Sequence, residues 1–215
     1  MEQKYIKLVS LQKILTQMKN SVFKVKINEY TNTGFLCKIP FPDKDNLLKV
    51  LITFSNLSKE DIMKLNKIHI SFDNEKKISE IYIDEKTKIY LNKEYNIAII
   101  EIRKMNKIDD SLFLEIDENI FNDNQNKIKD MQVYLIAYPY QKDGVYSNGL
   151  IKDLKEDGYI IEHLCSSNKG CSGGPLLNIN SMKVIGVHIG EVKNKNYNFG
   201  IFLKKPLEEF NQLFK

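Results

Sequence analysis

Arginine occurs once in this chain of 215 residues, at Arg103, and histidine and cysteine occur three times each. Each scarcity closes a possibility. The net charge of +4 rests on dispersed lysines, with no dense Lys/Arg stripe interleaved with aromatics, so a nucleic-acid partner is not indicated. Three cysteines, Cys37, Cys165 and Cys171, cannot all pair, whereas a secreted domain of this size more often carries an even set. None has His or Cys partners at ligand spacing, so no metal site is expected, and no cofactor motif is present. No stretch approaches the roughly 18 apolar residues that a membrane span needs, so no transmembrane segment is expected. The opening "MEQKYIKLVSLQKILTQMKN" lacks the apolar run and small-residue cleavage site of a secretory signal. Together these predict an intracellular chain, placed in the cytoplasm, with free thiols. They do not address oligomeric state.

What is present reads as an ordinary globular chain, 42% hydrophobic and 28% charged. Residues 1–20 have helical spacing, with Leu8, Leu11, Ile14, Leu15 and Met18 on one face and Ser10, Lys13 and Gln17 on the other. The period then changes to two: in "SVFKVKI", Phe23, Val25 and Ile27 alternate with Lys24 and Lys26. Short β-like runs recur through residues 21–110 ("GFLCKI", "LKVLITF", "KIHISF", "ISEIYI", "NIAIIEI"), separated by polar turn clusters. A polar connector over 111–130 precedes a second set over 131–203: "QVYLIAY", "NGLIKDL", "GYIIEH", "GPLLNI", "KVIGVHIG" and "YNFGIFL". The tail, 204–215, has Pro206 in its first turn and Leu207, Phe210 and Leu213 at helical spacing, which predicts a closing helix. The expected fold class is all-β: two β units between terminal helices.

One stretch stands apart: "NKGCSGGPLLN", residues 168–178. Glycines at 170, 173 and 174 around Ser172 let backbone N–H groups converge on one point, and side chains there would block a substrate carbonyl. Here the sequence resembles the trypsin/chymotrypsin-like serine proteases. "GCSGGPLL" is similar to their G-x-S-G-G-P signature, and "KVIGVHIG" follows where the family's substrate-binding strand does. "TGFLCKIP" resembles the early G-T/S-G-F strand, "LLKVLITFSN" the strand leading to the catalytic His, and "EYNIAIIEI" the segment supplying the acid. The resemblance runs over about residues 21–203. It implies two antiparallel β-barrels of the chymotrypsin type with the site between them, Ser172 at the nucleophile position and the N–H groups of Gly170 and Ser172 as oxyanion hole. It also implies His at position 56 and Asp at position 96, where this sequence has Asn56 and Asn96.

A Ser hydroxyl is a poor nucleophile until a base removes its proton, and a neutral Asn cannot take one up. The sequence therefore predicts a protease homologue with impaired chemistry that binds a peptide or protein segment in the cleft. The alternative is an active endopeptidase with a non-standard base, preferring Gln or Glu at the cleavage site. Few bases are on offer. His69 alternates with apolar neighbours as a solvent-facing strand residue, and His163 shares a strand face with Tyr159 and Ile161, as a core or pocket residue would. Asp84 and Glu94 read as surface charges. His188 resembles the specificity-pocket His of picornavirus-type cysteine proteases and glutamyl endopeptidases, which implies a polar pocket with Ser167, Ser166 and Gly190. A buried His satisfied by its neighbours reads the position equally well. Cys171 stands one position too early for a thiol nucleophile, and all three cysteines read as core thiols.

Overall fold

The computed structural model describes residues 8–27, 30–72, 77–122, 128–155, 158–192 and 194–215. The start of the expected N-terminal helix (1–7) and part of the expected connector (123–127) lie outside them. The chain runs α1 (Leu8–Asn20), β1 (Val22–Ile27), β2 (Tyr30–Pro40), β3 (Leu47–Phe54), α2 (Lys59–Lys64), β4 (Lys67–Phe72), β5 (Lys77–Tyr82), β6 (Ile89–Asn92) and β7 (Ile97–Glu101). After two single-turn 3-10 helices come β8 (Leu114–Glu115) and, beyond another, β9 (Gln132–Ala137). Then follow β10 (Val145–Lys155), β11 (Ile160–His163), β12 (Pro175–Asn178), β13 (Val184–Glu191), β14 (Asn198–Phe202) and α3 (Lys204–Phe214).

Period-2 patterning builds the first unit, ordered β5-β4-β1-β2-β3-β7-β6, with β8 added in parallel to β2. Phe23, Val25, Leu36, Leu51, Ile68, Ile70, Ala98 and Ile100 point inward and are almost wholly removed from water. The second unit closes into a six-stranded antiparallel barrel, β10-β11-β14-β13-β12-β9. Its strands β12 and β13 read as continuous apolar runs because both faces are covered: Pro175–Asn178 and Val184–Ile189 are all buried. The fold is the expected all-β pair of antiparallel units. Among the described residues, however, the first stays open between β5 and β6, because no ladder joins them.

Three elements escaped the sequence patterns, among them the two-residue β8, which lies in the expected connector. Strand β6 spans only four residues, too short for alternation to register. Helix α2 carries a capping box in plain sight: the Ser58 hydroxyl accepts from the Asp61 N–H, and the Asp61 carboxylate accepts from the Ser58 N–H.

The terminal helices bind the units together. Helix α1 docks differently from its simple amphipathic reading. Ile14 and Gln17 are buried, whereas Leu11 and Leu15 are 39% and 49% exposed. The cause is polar. The Gln17 amide donates to the Met182 carbonyl at 2.9 Å and accepts from the Tyr134 hydroxyl at 2.7 Å, which turns that face inward. Helix α3 packs Phe210 against Phe41, ring centroids 5.5 Å apart, and its Glu209 accepts from the Tyr90 hydroxyl of β6. Tyr159 of the second unit stacks on Tyr95 of the first at 4.3 Å and accepts from the Asn92 amide at 2.9 Å.

Candidate active site

The Ser172 loop runs from the end of the long connection after β11 into β12. Gly170 and Gly173 have φ of +97° and +88°, a region that side chains avoid. At Gly173 the space is closed as well: a Cβ would lie 2.1 Å from the Thr33 carbonyl oxygen and 2.6 Å from the Phe54 nitrogen. The loop's own amides sort into two groups. Cys171 N–H donates to Asn168 O, Gly173 N–H to His188 O and Gly174 N–H to Cys171 O. Among the described residues the N–H groups of Gly170 and Ser172 have no such partner.

Thr33, on β2 of the first unit, ties this loop down. Its hydroxyl donates to the Gly170 carbonyl at 2.8 Å and accepts from the Tyr138 N–H at 3.0 Å. Its N–H donates to the Ser172 carbonyl at 3.0 Å, and its own carbonyl accepts from the Thr53 hydroxyl at 2.8 Å. Both threonines are completely buried. Sequence reading passed over Thr33, although it stands beside Gly34 in the very "TGF" run that resembles a family strand. Thr33→Val keeps the shape and removes the hydroxyl, so the Gly170 carbonyl and the Tyr138 N–H lose the group that bridges them. Chemical denaturation is expected to show a loss of about 2–4 kcal/mol.

The positions matched to the missing triad members come together. Asn56 follows β3 and is exposed, and Asn96 precedes β7. The two chain ends are stitched by the Ser55 N–H donating to the Asn96 carbonyl at 2.8 Å and by the pairing of Phe54 with Ile97. Gly173 packs on the Phe54 nitrogen, so the Ser loop meets the same corner. Asn96 has φ +53°, a left-handed conformation that Asn adopts more readily than most residues.

The Ser172 hydroxyl donates to the backbone carbonyl of Ile189 at 2.7 Å. Among the described residues no imidazole or carboxylate is hydrogen-bonded to it. The two buried histidines bond to each other instead: His163 Nε2 and His188 Nδ1 are 3.0 Å apart. They are 0% and 1% exposed. Burial pushes His163 down to about 4; burial, with the neighbouring His163, pushes His188 down to about 3. Both rings are therefore neutral at physiological pH. Among the described residues the buried His163 Nδ1 has no partner.

The remaining candidates have their own local settings. Ser166 is exposed, and its N–H donates to the Ser147 hydroxyl at 2.7 Å; Ser167 is half-buried. Gly190 pairs with Phe199 across β13 and β14. His69 is solvent-facing and lies 3.4 Å from Glu80. Asp84 pairs with Arg103, and Glu94 is exposed. The thiols of Cys37, Cys165 and Cys171 are all buried, and burial raises each of them, Cys165 to about 12, so they are protonated and inert. Among the described residues no cluster of His, Cys, Asp and Glu could hold a metal ion, and no helix is long and apolar enough to cross a membrane.

Known proteins place this geometry. No curated protein gives a significant match to the chain. Solved structures do. A serine endoprotease from Yersinia pestis superposes with a TM-score of 0.63 at 16% identity, over 94% of this chain and 66% of that one. The Rv3671c protease of M. tuberculosis H37Rv, in an inactive form, gives 0.64 at 14% identity, over 99% of this chain and 97% of that one. A second structure of that protease, also inactive, gives 0.63 at 14% identity, over 96% of this chain and 95% of that one. At such identities the likeness is one of fold, and it is the chymotrypsin-like double-barrel fold. The family profile described as trypsin-like peptidase domain matches residues 67–187, more than half of the chain, a span that begins after Asn56 and takes in Asn96 and the Ser172 loop. By that match and that fold, the chain belongs to the trypsin-like peptidase family.

Proposed function

We propose that this chain is a catalytically impaired trypsin-like peptidase that binds a peptide or protein segment in the cleft between its two β units. The observation that carries the reading is the bond from the Ser172 hydroxyl to the Ile189 carbonyl. An amide carbonyl accepts a hydrogen bond but does not remove the proton near neutral pH, so the oxygen stays a neutral, weak nucleophile. Asn56 and Asn96 are assigned to the places where the family has its base and acid, and His163 and His188 are engaged with each other.

The binding half of the machinery has support of its own. The open N–H groups of Gly170 and Ser172 are assigned as the oxyanion hole, which would hold a carbonyl oxygen of the bound segment. His188, with Ser167, Ser166 and Gly190, is assigned to a polar pocket for a side chain of that segment. An orphaned ring N–H is costlier than an orphaned lone pair, so His163 carries its proton on Nε2 and donates to His188 Nδ1. His188 then presents an Nε2–H. A neutral donor of this kind suits the carbonyl oxygen of a Gln side chain.

A fluorophosphonate probe tests the reading, because it reacts with an activated serine. Ser172 is expected to stay unlabelled over hours at a probe excess that titrates an active serine protease within minutes. Stoichiometric labelling of Ser172, lost in Ser172→Ala, would sink the proposal.

A further inference from the structure

The first unit carries a second concavity, of about 560 Å³, on the outer face of β1 and β4. Its chemistry follows from register. Lys24 pairs with Ser71 and Lys26 with His69, so these four side chains share one face, and Lys67, two residues before His69, joins them. Thr31 completes the polar wall. No Asp or Glu lines the cavity among the described residues. The neighbouring carboxylate, Glu80, is already shared: it lies 2.7 Å from the Lys67 ammonium, 2.8 Å from the Tyr82 hydroxyl and 3.4 Å from His69. The exposed Lys26 makes no ion pair among the described residues. Among the described residues the buried Ser71 hydroxyl has no partner, an unmet donor in a basic groove.

The groove also touches the second unit. Gln141 lines it from the second unit. The residue before it, Tyr140, donates its N–H to the Lys169 carbonyl at 2.6 Å, next to Gly170.

We infer that this groove is a docking site for an acidic peptide segment, the part of a partner that continues past the Ser172 cleft. Charge complementarity argues for acid, since Lys24, Lys26 and Lys67 line the groove and, among the described residues, no Asp or Glu does. The lining argues for peptide over nucleic acid. It includes Leu65 and Ile78, which suit aliphatic side chains, and among the described residues no Phe, Tyr or Trp ring on which a base could stack. The inference rests on reading this chain as a peptide-binding protein, but the two fail separately. Ser172 labelling reports on the cleft alone, and none of the groove residues belongs to the Ser loop.

The test is fluorescence anisotropy with a fluorescein-labelled oligoglutamate peptide on the full chain, against oligolysine and an oligouridylate of equal charge. The oligoglutamate is expected to bind. Its affinity is expected to fall at least about 10-fold in Lys26→Glu/Lys67→Glu, and to weaken as salt rises from about 50 to about 300 mM. Should the double reversal fail to fold by circular dichroism, Lys26→Ala/Lys67→Ala replaces it, with the same direction expected. No binding, equal binding by the substituted chain, or tighter binding of the oligouridylate overturns the inference.

Discussion

A chain carrying Asn56→His together with Asn96→Asp is expected to hydrolyse p-nitrophenyl acetate at least about 10²-fold faster than the parent, the low end of what a positioned general base contributes. The parent hydroxyl already points at a hydrogen-bond acceptor, the Ile189 carbonyl, so its proton is held but not removable. An imidazole at position 56 supplies the missing acceptor. An Asp at position 96 then orients it and stabilises its charged form. The backbone allows the second change: φ at Asn96 is +53°, and Asp tolerates that region nearly as well as Asn. Adding Ser172→Ala should return the rate to background, which separates a restored nucleophile from adventitious imidazole catalysis. An unchanged rate in a folded double variant would mean that the corner formed by Ser55 and Asn96 does not face Ser172 in the way the family's triad requires.

Gly173→Ala is expected to lower stability by more than about 4 kcal/mol, enough to lose cooperative unfolding at ordinary temperature. Two costs add. The residue sits at φ +88°, where a Cβ is strained by itself. That Cβ would also lie 2.1 Å from the Thr33 carbonyl oxygen and 2.6 Å from the Phe54 nitrogen, both backbone atoms that cannot swing away. Relief would require the two β units to part at their junction. Urea titration followed by far-UV circular dichroism reads the effect directly. A loss below about 1 kcal/mol, typical of an average substitution, would show that the junction is looser than these contacts imply.

Much of this was written locally and could be read locally. The glycines of the Ser loop are required by backbone geometry within six residues, so "GCSGGP" announced itself. Strands with one face toward water showed through alternation, as β1 and β4 do, and doubly covered ones such as β13 through an unbroken apolar run. What stayed hidden depends on distant partners. Thr33 meets Gly170 and Tyr138 more than 100 residues away, and no spacing rule connects them. His163 and His188 lie 25 residues apart on strands that are both paired to β14, so their contact exists only once the barrel closes. Gln17 looked like a solvent-facing residue of α1 and became its buried anchor, because Tyr134 and Met182 offered it both a donor and an acceptor. Leu11 and Leu15 were left outside in consequence.

The hold that Thr33 keeps on the Ser loop also governs timing. Secreted trypsins carry an acid at the position of Cys171 and complete their loop only after a precursor is cut. Here that place is taken by a buried thiol accepting from the Asn168 N–H, and the work of shaping the loop falls to a threonine on the neighbouring unit. The shape of the loop is therefore set when the two β units meet. A change at that threonine is thus felt across the boundary between the units, at the loop it holds.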